Sequence, residues 1–420
     1  MSLQSYILGD ESEIIQERNF QVLLLANTAG PMGFVLVTPI LDSLISPFGT
    51  SAANIGLMMS AYTAPSIVLI PMIGYLSDRF GRKPFMILGL LLIGFGGVSI
   101  AFTTNYSYVL ALRFVQGLGS AAIVPIIVTS IGDEYDGSRE ATGQGIRFTV
   151  SGLTQMFIPL IAGVLVGIAW QYPFFIYASV LPMTLMVYAW YDEPISTDRC
   201  HKEEANPSIV GSRLELFQDI MSYRRAKIML LIRGLPGIVW VAFLTFNSII
   251  VVQLMDGTPT QAGILAGGAS LTMAITASQS GRMTSLLDSR INLLIVANIA
   301  MGGGFVVLLL SSSFIIALLG IAGTGAGLGV LYSIYRSVIT TLAPDPIRGS
   351  MVSISEAFGK FTVTFTPIVL GAIISALSTQ IGLQLAVQLV CLATAVTVSV
   401  AGVVCLVVVT RSPTIPNTYQ

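Results

Sequence analysis

The sequence predicts an all-α polytopic membrane protein with twelve transmembrane helices in two six-helix repeats. Three observations lead to this fold class. Only 10% of the 420 residues are charged, long apolar runs recur along the whole chain, and two segments recur at nearly one offset. A typical soluble protein has about 25% charged residues, and a membrane-spanning helix needs about 20 apolar residues. The composition therefore excludes a water-soluble globule.

The apolar runs divide the chain into twelve spans that are separated by short polar turns. One polar interior segment, 192–226, is much longer than the turns and separates six spans from six. We therefore predict an N-terminal bundle over 1–191, a cytoplasmic linker over 192–226 and a C-terminal bundle over 227–420. The predicted spans are 20–44, 52–77, 84–103, 107–132, 141–168, 171–191, 227–254, 260–284, 291–311, 313–340, 351–377 and 383–410.

Lysine and arginine accumulate on the cytoplasmic side of membrane proteins, so their positions orient the chain. They lie in the linker and in the turns after predicted helices 2, 4, 8 and 10, whereas alternate turns such as Ser46–Ser51 contain none. Both termini and the linker are therefore predicted to be cytoplasmic, in a protein of the plasma membrane.

Predicted helices 5 and 11 share a short pattern. FIPLIAG at Phe157–Gly163 matches FTPIVLG at Phe365–Gly371 with an offset of 208 residues, and Arg139 matches Arg348 with an offset of 209. Two elements at nearly the same offset indicate that the second bundle repeats the first. Parallel repeats with a substrate site near the midplane between them are typical of one common transporter architecture.

The turn between predicted helices 2 and 3 is GYLSDRFGRKP, which places one acid and three bases between two apolar runs. It closely resembles the loop signature Gly-x-Leu-x-Asp-Arg-x-Gly-Arg-Lys of the major facilitator superfamily. The chain is most similar to the twelve-helix drug:proton antiporters of that family. The resemblance implies a transporter rather than an enzyme, working by alternating access without a cofactor or metal. The matching residues are Gly74, Leu76, Asp78, Arg79, Gly81, Arg82 and Lys83.

The resemblance also implies that this loop is a cytoplasmic latch that favours the outward-open state. Gly74 is expected to allow close helix contact, Gly81 a tight turn, and Asp78 an approach to the start of helix 11 near Met351. Arg82 is expected to pair with an acid at the end of helix 4. The other latch residues are Arg79, Lys83, Asp133, Glu134 and Arg139. For Arg79 and Lys83, holding the loop in the cytoplasm is the simpler alternative.

Ionisable side chains inside spans are costly and often mark ion pathways or proton relays. Arg113 lies in LALRFVQGLGSAA, which resembles the helix 4 motif Arg-x-x-Gln-Gly-x-Gly of proton-coupled family members. Asp42 lies at comparable depth on predicted helix 1, so movement of Arg113 relative to Asp42 would load and release a proton. A fixed ion pair, or an Asp42 that faces outer water, is the alternative.

Glu356 and Lys360 lie four residues apart on predicted helix 11, with the acid first. This is the spacing of a local helical ion pair, which would neutralise itself inside the membrane. The alternative makes Glu356 a second proton site or part of a cytoplasmic gate.

Predicted helix 5 matches the antiporter motif Gly-x-x-x-Gly-Pro-x-x-Gly-Gly only in part. Pro159 and Gly163 fit, but Ile158 and Ala162 stand where glycines are expected. The departure weakens the case for export by exchange. Import of a small metabolite by symport or uniport therefore remains an alternative, and a sensor on a carrier scaffold is a third hypothesis.

The substrate site is expected to be mostly apolar with a few orienting polar groups. An aromatic and methionine-containing lining with little charge favours lipophilic or amphipathic molecules over sugars and phosphates. Proton-coupled export of such molecules is the predicted function, with substrate, protons and membrane lipid as partners of a monomer that binds no nucleic acid. The candidate lining residues are Asn27, Met32, Phe34, Gln116, Gln155, Trp240, Phe243, Asn247, Tyr332, Tyr335 and Phe361. For each aromatic residue, ordinary packing or lipid contact is the alternative.

Overall fold

The computed structural model describes residues 12–193, 224–286, 290–342 and 348–411, and this part of the chain contains helices and no β-strand. A 3-10 helix at Ser12–Gln16 precedes twelve membrane helices, numbered α1–α12. They are α1 (Arg18–Val35, then a 3-10 turn at Thr38–Ile40 and a last turn at Leu41–Ile45), α2 (Ala52–Ile55 and Leu57–Phe80), α3 (Arg82–Ile100), α4 (Tyr106–Glu134), α5 (Gly137–Leu165), α6 (3-10 at Tyr172–Ser179, then Val180–Trp190), α7 (Arg224–Ile249, then a π-helix at Ile250–Leu254), α8 (Pro259–Leu286), α9 (Arg290–Leu310), α10 (Phe314–Leu342), α11 (Arg348–Ile381) and α12 (Leu383–Arg411).

The twelve predicted helices are confirmed, with each end within four residues of its predicted position. Eleven helices of the described residues are long and apolar enough to cross a membrane. The twelfth, α8, has 28 residues but is rich in threonine, serine and glycine. Its hydroxyls bond to its own backbone, as Thr276 Oγ1 does to the Thr272 carbonyl oxygen at 2.9 Å. Such bonds satisfy polar side chains without water, which suits a membrane helix.

The chain forms two compact units. The first comprises Met1–Lys202 together with Thr258–Gly267, and the second comprises Glu203–Gly257 and Gly268–Gln420. The first unit therefore contains α1–α6 and the start of α8. The sequence did not predict that Thr258–Gly267, which includes the start of α8, would pack with the first six helices.

Glycines explain this packing of the α8 start on α5. A Cβ atom at Gly263 would lie 2.5 Å from the carbonyl oxygen of Pro159, and one at Gly163 would lie 2.5 Å from that of Pro259. Thr260 Oγ1 also donates to the Gly163 carbonyl oxygen at 3.2 Å. The two backbones can approach this closely only where no side chain intervenes. Pro159 and Gly163, the two antiporter-motif residues that the chain retains, thus lie at the close contact between α5 and α8.

Pro39 shapes the outer end of α1 and so positions Asp42. Proline has no N–H group and disfavours the α conformation of the residue before it, which is Thr38. The α-helix gives way to a 3-10 turn at Thr38–Ile40, and Asp42 lies in the short helical turn that follows.

Candidate functional site

Arg113 is the centre of a buried polar network in the first unit. Its side chain is 0% exposed. Nε donates to the Met58 carbonyl oxygen at 3.1 Å, and Nη1 donates to Gln116 Oε1 at 2.9 Å and to the Tyr177 hydroxyl at 3.3 Å. The guanidinium carbon also lies 4.5 Å from the centroid of the Tyr62 ring, a cation–π distance. Neutral groups of α2, α4 and α6 therefore hold this charge.

The network extends to α1 through two tyrosines. The Tyr62 hydroxyl donates to the Gly30 carbonyl oxygen at 2.8 Å, and the Tyr177 hydroxyl donates to that of Gly33 at 3.3 Å. Both carbonyl groups belong to the helix that carries Asp42. In the described residues, Nη2 of Arg113 is buried and has no hydrogen-bond partner. The arrangement therefore leaves one donor group of a buried cation unsatisfied.

Asp42 is half-buried near the end of α1. Among the described residues, the hydrogen-bond partners of Arg113 are Met58, Gln116 and Tyr177, and Asp42 is not one of them. The two charges are not joined here, because the arginine side chain extends toward α2 and α6. The predicted approach of Arg113 to Asp42 requires a different conformation.

The predicted latch arginine, Arg82, lies within the first unit. Its Nη2 is 2.5 Å from Asp133 Oδ2, and both side chains are largely buried, with 11% and 18% exposed. The other candidate acid, Glu134, instead accepts a hydrogen bond from Asn19 Nδ2 at 2.9 Å. The ion pair connects the start of α3 to the end of α4.

Arg139 is the latch candidate farthest from the loop in sequence. It forms an ion pair with Glu17, and its guanidinium lies 5.3 Å from the Tyr135 ring. The Tyr135 hydroxyl donates to the same Glu17 carboxylate at 2.7 Å. Burial and the neighbouring carboxylate raise the pKa of Tyr135 well above its ordinary value, so this hydroxyl remains a donor.

Glu193 also binds the turn between α2 and α3. Sequence reasoning missed this role, because Glu193 was assigned to the polar linker. Its carboxylate accepts hydrogen bonds from the backbone N–H groups of Arg82 and Lys83, the latter at 3.3 Å. The first N–H groups of a helix have no intrahelical partner and favour negative charge. Lys83 Nζ donates to the Tyr191 carbonyl oxygen at 2.7 Å. The chain that follows α6 thus caps α3, and an acid directly after a span was the available signal.

The remaining latch candidates are placed differently. A Cβ atom at Gly74 would meet no atom within 4 Å in the described structure, so the expected close helix contact is not observed there. Arg79 is exposed and lies 5.4 Å from the ring of its neighbour Phe80. The side chain of Asp78 lies outside the described residues, and its contact stays a prediction.

Replacing Glu193 by glutamine should lower the stability of the first unit. The change removes the negative charge at the α3 N-terminus, which contributes about 0.3–1 kcal/mol, and weakens a cap that contributes about 1 kcal/mol. Thermal unfolding of the purified protein, followed by fluorescence-detected size exclusion, measures the effect.

The matched control is Asp192→Asn at the neighbouring position. Asp192 pairs with Arg18 at 2.9 Å, but the two side chains are 77% and 63% exposed. Exposed pairs contribute little, so this variant should unfold like the unmodified protein. Equal shifts for the two variants would show that Glu193 has no capping role.

In the second unit, the structure corrects the predicted pair of Glu356 with Lys360. Glu356 Oε1 instead accepts from Arg233 Nη2 at 3.1 Å. The guanidinium of Arg233 also lies 5.1 Å from the centroid of the Tyr332 ring. Helical spacing allowed the local pair, but an arginine from α7 reaches the acid and binds it across the helix contact.

Most candidate lining residues pack inside their own units in this conformation. Phe243 is 0% exposed and contacts the rings of Trp240 and Phe305, with centroids 5.8 and 6.2 Å away. Phe361, by contrast, is 48% exposed. Those at most 8% exposed are Asn27, Met32, Gln116, Trp240, Phe243, Asn247 and Tyr335, whereas Phe34, Gln155 and Tyr332 are half-buried.

Several polar candidates satisfy each other or the backbone. Asn27 Nδ2 donates to Ser151 Oγ at 2.7 Å, and Gln155 Nε2 donates to the Ser151 carbonyl oxygen at 3.3 Å. The Tyr335 hydroxyl accepts from Asn298 Nδ2 at 3.3 Å. Asn27 and Tyr335 thus join two helices in the present conformation, whereas Gln155 bonds to the backbone of its own helix.

The family model described as Major Facilitator Superfamily matches residues 23–256 and 237–419. A bacillibactin exporter of Bacillus subtilis is 33% identical over 150 residues, which is 34% of this chain and 37% of that protein. The class H tetracycline resistance protein of Pasteurella multocida is 22% identical over 80% of this chain and 85% of its own length. Both matches concern proteins whose names describe export or drug resistance.

Solved structures share the fold at low sequence identity. A bacterial homologue of the human lysosomal transporter Spinster, in an inward-facing and occupied conformation, has a TM-score of 0.77 at 15% identity, covering 94% of this chain and 96% of that one. A D-xylose-proton symporter has a TM-score of 0.73 at 15% identity, covering 91% and 96%. The chain therefore shares its fold with both of these transporters.

Proposed function

This chain belongs to the Major Facilitator Superfamily, and we propose that it exports lipophilic or amphipathic small molecules in exchange for protons. Family membership makes it an integral membrane transporter rather than an enzyme. The single observation that carries the proposal is the buried Arg113 with its incomplete set of hydrogen bonds.

A buried arginine keeps its charge, because its guanidinium does not deprotonate in proteins. Such a charge inside a membrane helix needs compensation, which neutral carbonyl and hydroxyl groups supply only in part. Asp42 is the acid on the adjoining helix α1, and it would be ionised near Arg113 and protonated away from it. Tyr62 and Tyr177 connect Arg113 to α1. A movement of α1 would therefore change the distance between Arg113 and Asp42. Proton binding and helix movement would then be coupled.

The names of the two relatives support export as the direction. The partial antiporter motif on α5 and the shared fold of a D-xylose-proton symporter favour import by proton symport as a second candidate. The proposal includes a monomer in the plasma membrane, in contact with lipid, with its termini and linker cytoplasmic, as the positions of lysine and arginine favour.

Exchange can be measured in inside-out vesicles with an imposed acid interior and a pH-sensitive dye. Adding a transported compound should discharge the gradient, and a panel should include lipophilic cations, neutral amphiphiles, organic anions and sugars. In Asp42→Asn vesicles the discharge should be slower by at least about fivefold, the lower end of coupling between two sites.

Asp256→Asn is the matched control, because Asp256 is exposed after α7 and has a positive φ of 51° that asparagine tolerates. This variant should discharge the gradient like the unmodified protein. Uptake of a panel compound into right-side-out vesicles driven by outside acid, with no discharge in the inverted ones, would replace export with import.

A further inference from the structure

Lys360 is an unusual charge in the second unit. It lies in the apolar helix α11, twelve residues after the start of that helix at Arg348, which is about 18 Å at 1.5 Å per residue. Its side chain is half-buried, and among the described residues its ammonium forms no hydrogen bond and no direct ion pair, while Glu356 one turn earlier acts on it electrostatically. An ammonium at this depth is costly without a counter-charge, so residues of this kind usually serve a function.

The acid one turn before Lys360 is already engaged. Glu356 binds Arg233, whose side chain is only 11% exposed, and the Tyr332 ring covers the same guanidinium. In the described structure Nε of Arg233 is buried without a hydrogen-bond partner. Among the described side chains here, two cations, Arg233 and Lys360, therefore share the one carboxylate of Glu356.

Two exposed aromatic rings lie on the same helix as this charge. Phe361 follows Lys360 in the sequence, and its ring packs against that of Phe365 with the centroids 4.3 Å apart. The two side chains are 48% and 41% exposed. A cation and exposed aromatic rings within two turns of one helix suit a ligand that combines an anionic group with an aromatic body.

We propose that Lys360 binds the carboxylate of an amphipathic aromatic acid, with Phe361 and Phe365 in contact with its ring. Arg233 holds Glu356 in a direct ion pair, so that carboxylate compensates Lys360 only in part. The inference rests on the proposed transport of amphipathic molecules and narrows their class to organic anions. It also assigns the C-terminal six helices a part in selecting the substrate by charge.

Equilibrium binding to the purified full-length protein tests this assignment with three probes of one shape. They are 2-naphthoate, the neutral 2-naphthamide and the cationic 2-naphthylmethylammonium, titrated by calorimetry. The unmodified protein should bind naphthoate most tightly. Lys360→Met should weaken naphthoate binding by about tenfold or more, as expected for a hydrogen bond to a charged group. Binding of naphthamide should not change.

Three further variants sharpen the test. Lys360→Arg keeps the charge and should retain naphthoate binding, whereas Glu356→Gln removes a competing negative charge and should strengthen it. Lys227→Met is the matched control, because Lys227 is exposed at the start of α7. Equal affinity for naphthoate and naphthamide, equal weakening of both by Lys360→Met, or no naphthoate binding at all would overturn the proposal.

A lipid phosphate is the other source of an anion at this depth. Nanodiscs with and without phosphatidylglycerol separate the two sources. If Lys360→Met alters the affinity for phosphatidylglycerol and leaves naphthoate binding unchanged, the ammonium serves lipid and the proposal is overturned. Because binding is measured without a pH gradient, failure of proton exchange in vesicles would leave this result intact, and the two proposals fail separately.

Discussion

Arg113→Met is expected to abolish transport and to destabilise the first unit. Three groups, the Met58 carbonyl, Gln116 and Tyr177, would lose a donor inside a site that is fully buried. Hydrogen bonds to charged groups contribute about 1.5–3 kcal/mol each. Loss of one such bond at the transport step alone would slow exchange about tenfold to a hundredfold. Dye-monitored proton release from vesicles and thermal unfolding measure the two effects.

Arg113→Lys separates charge from geometry. Lysine keeps the positive charge, but its ammonium on a flexible stem cannot reproduce the planar donor fork that reaches α2 and α6 together. We expect a folded protein whose transport is strongly reduced. Arg18→Met is the control, since Arg18 is 63% exposed in its pair with Asp192. Full transport by the Arg113→Lys variant would show that charge alone suffices, and transport by the Arg113→Met variant would remove Arg113 from the mechanism.

Gly81→Ala is expected to have the second-largest effect. Gly81 joins α2 to α3 with φ +89° and ψ 155°, a conformation that is essentially restricted to glycine and costs other residues about 1–3 kcal/mol. A Cβ atom there would also lie 2.9 Å from Glu193 Oε2. The alanine variant should therefore lose both the turn and the α3 cap, and displace Arg82 from Asp133.

The Gly81→Ala variant should have a lower unfolding temperature and a slower rate of vesicle transport. Gly49→Ala is the comparison variant. Gly49 also has a positive φ, +57°, but a Cβ atom at that position meets nothing within 4 Å. Replacing Gly49 by alanine should lower the free energy of unfolding only by the cost of a left-handed backbone conformation, about 1 kcal/mol. Equal stability of the two variants would show that the contact between a Cβ atom at position 81 and Glu193 does not affect stability.

The spans were predictable because the signal for a crossing is local. A bilayer requires a fixed length of apolar residues, and that length can be counted along the chain, as for Arg290–Leu310. α8 was predicted in the same way although it is rich in threonine and serine, whose hydroxyls bond to its own backbone. The signals for Arg113 and for the loop at Gly81 were also local, since a rare charge inside an apolar span and a family signature are both visible in the sequence.

The partners of these residues could not be predicted in the same way. Glu356 had a lysine at helical spacing, yet it binds Arg233 from a helix more than a hundred residues earlier. Glu193 was assigned to a linker, yet it caps α3. Long charged side chains reach several neighbouring helices, so the choice among partners depends on distances in space.

Apolar length and the positions of rare charges thus determine the number of crossings, the repeat and the family, because each is a property of the chain read in order. The choice of Asp133 over Glu134 as the partner of Arg82, the pairing of Glu356 with Arg233 and the neutral surroundings of Arg113 emerge only when the helices pack. The reason is physical: inside a membrane, packing decides which groups come within about 3 Å of a charge, whatever their separation along the sequence.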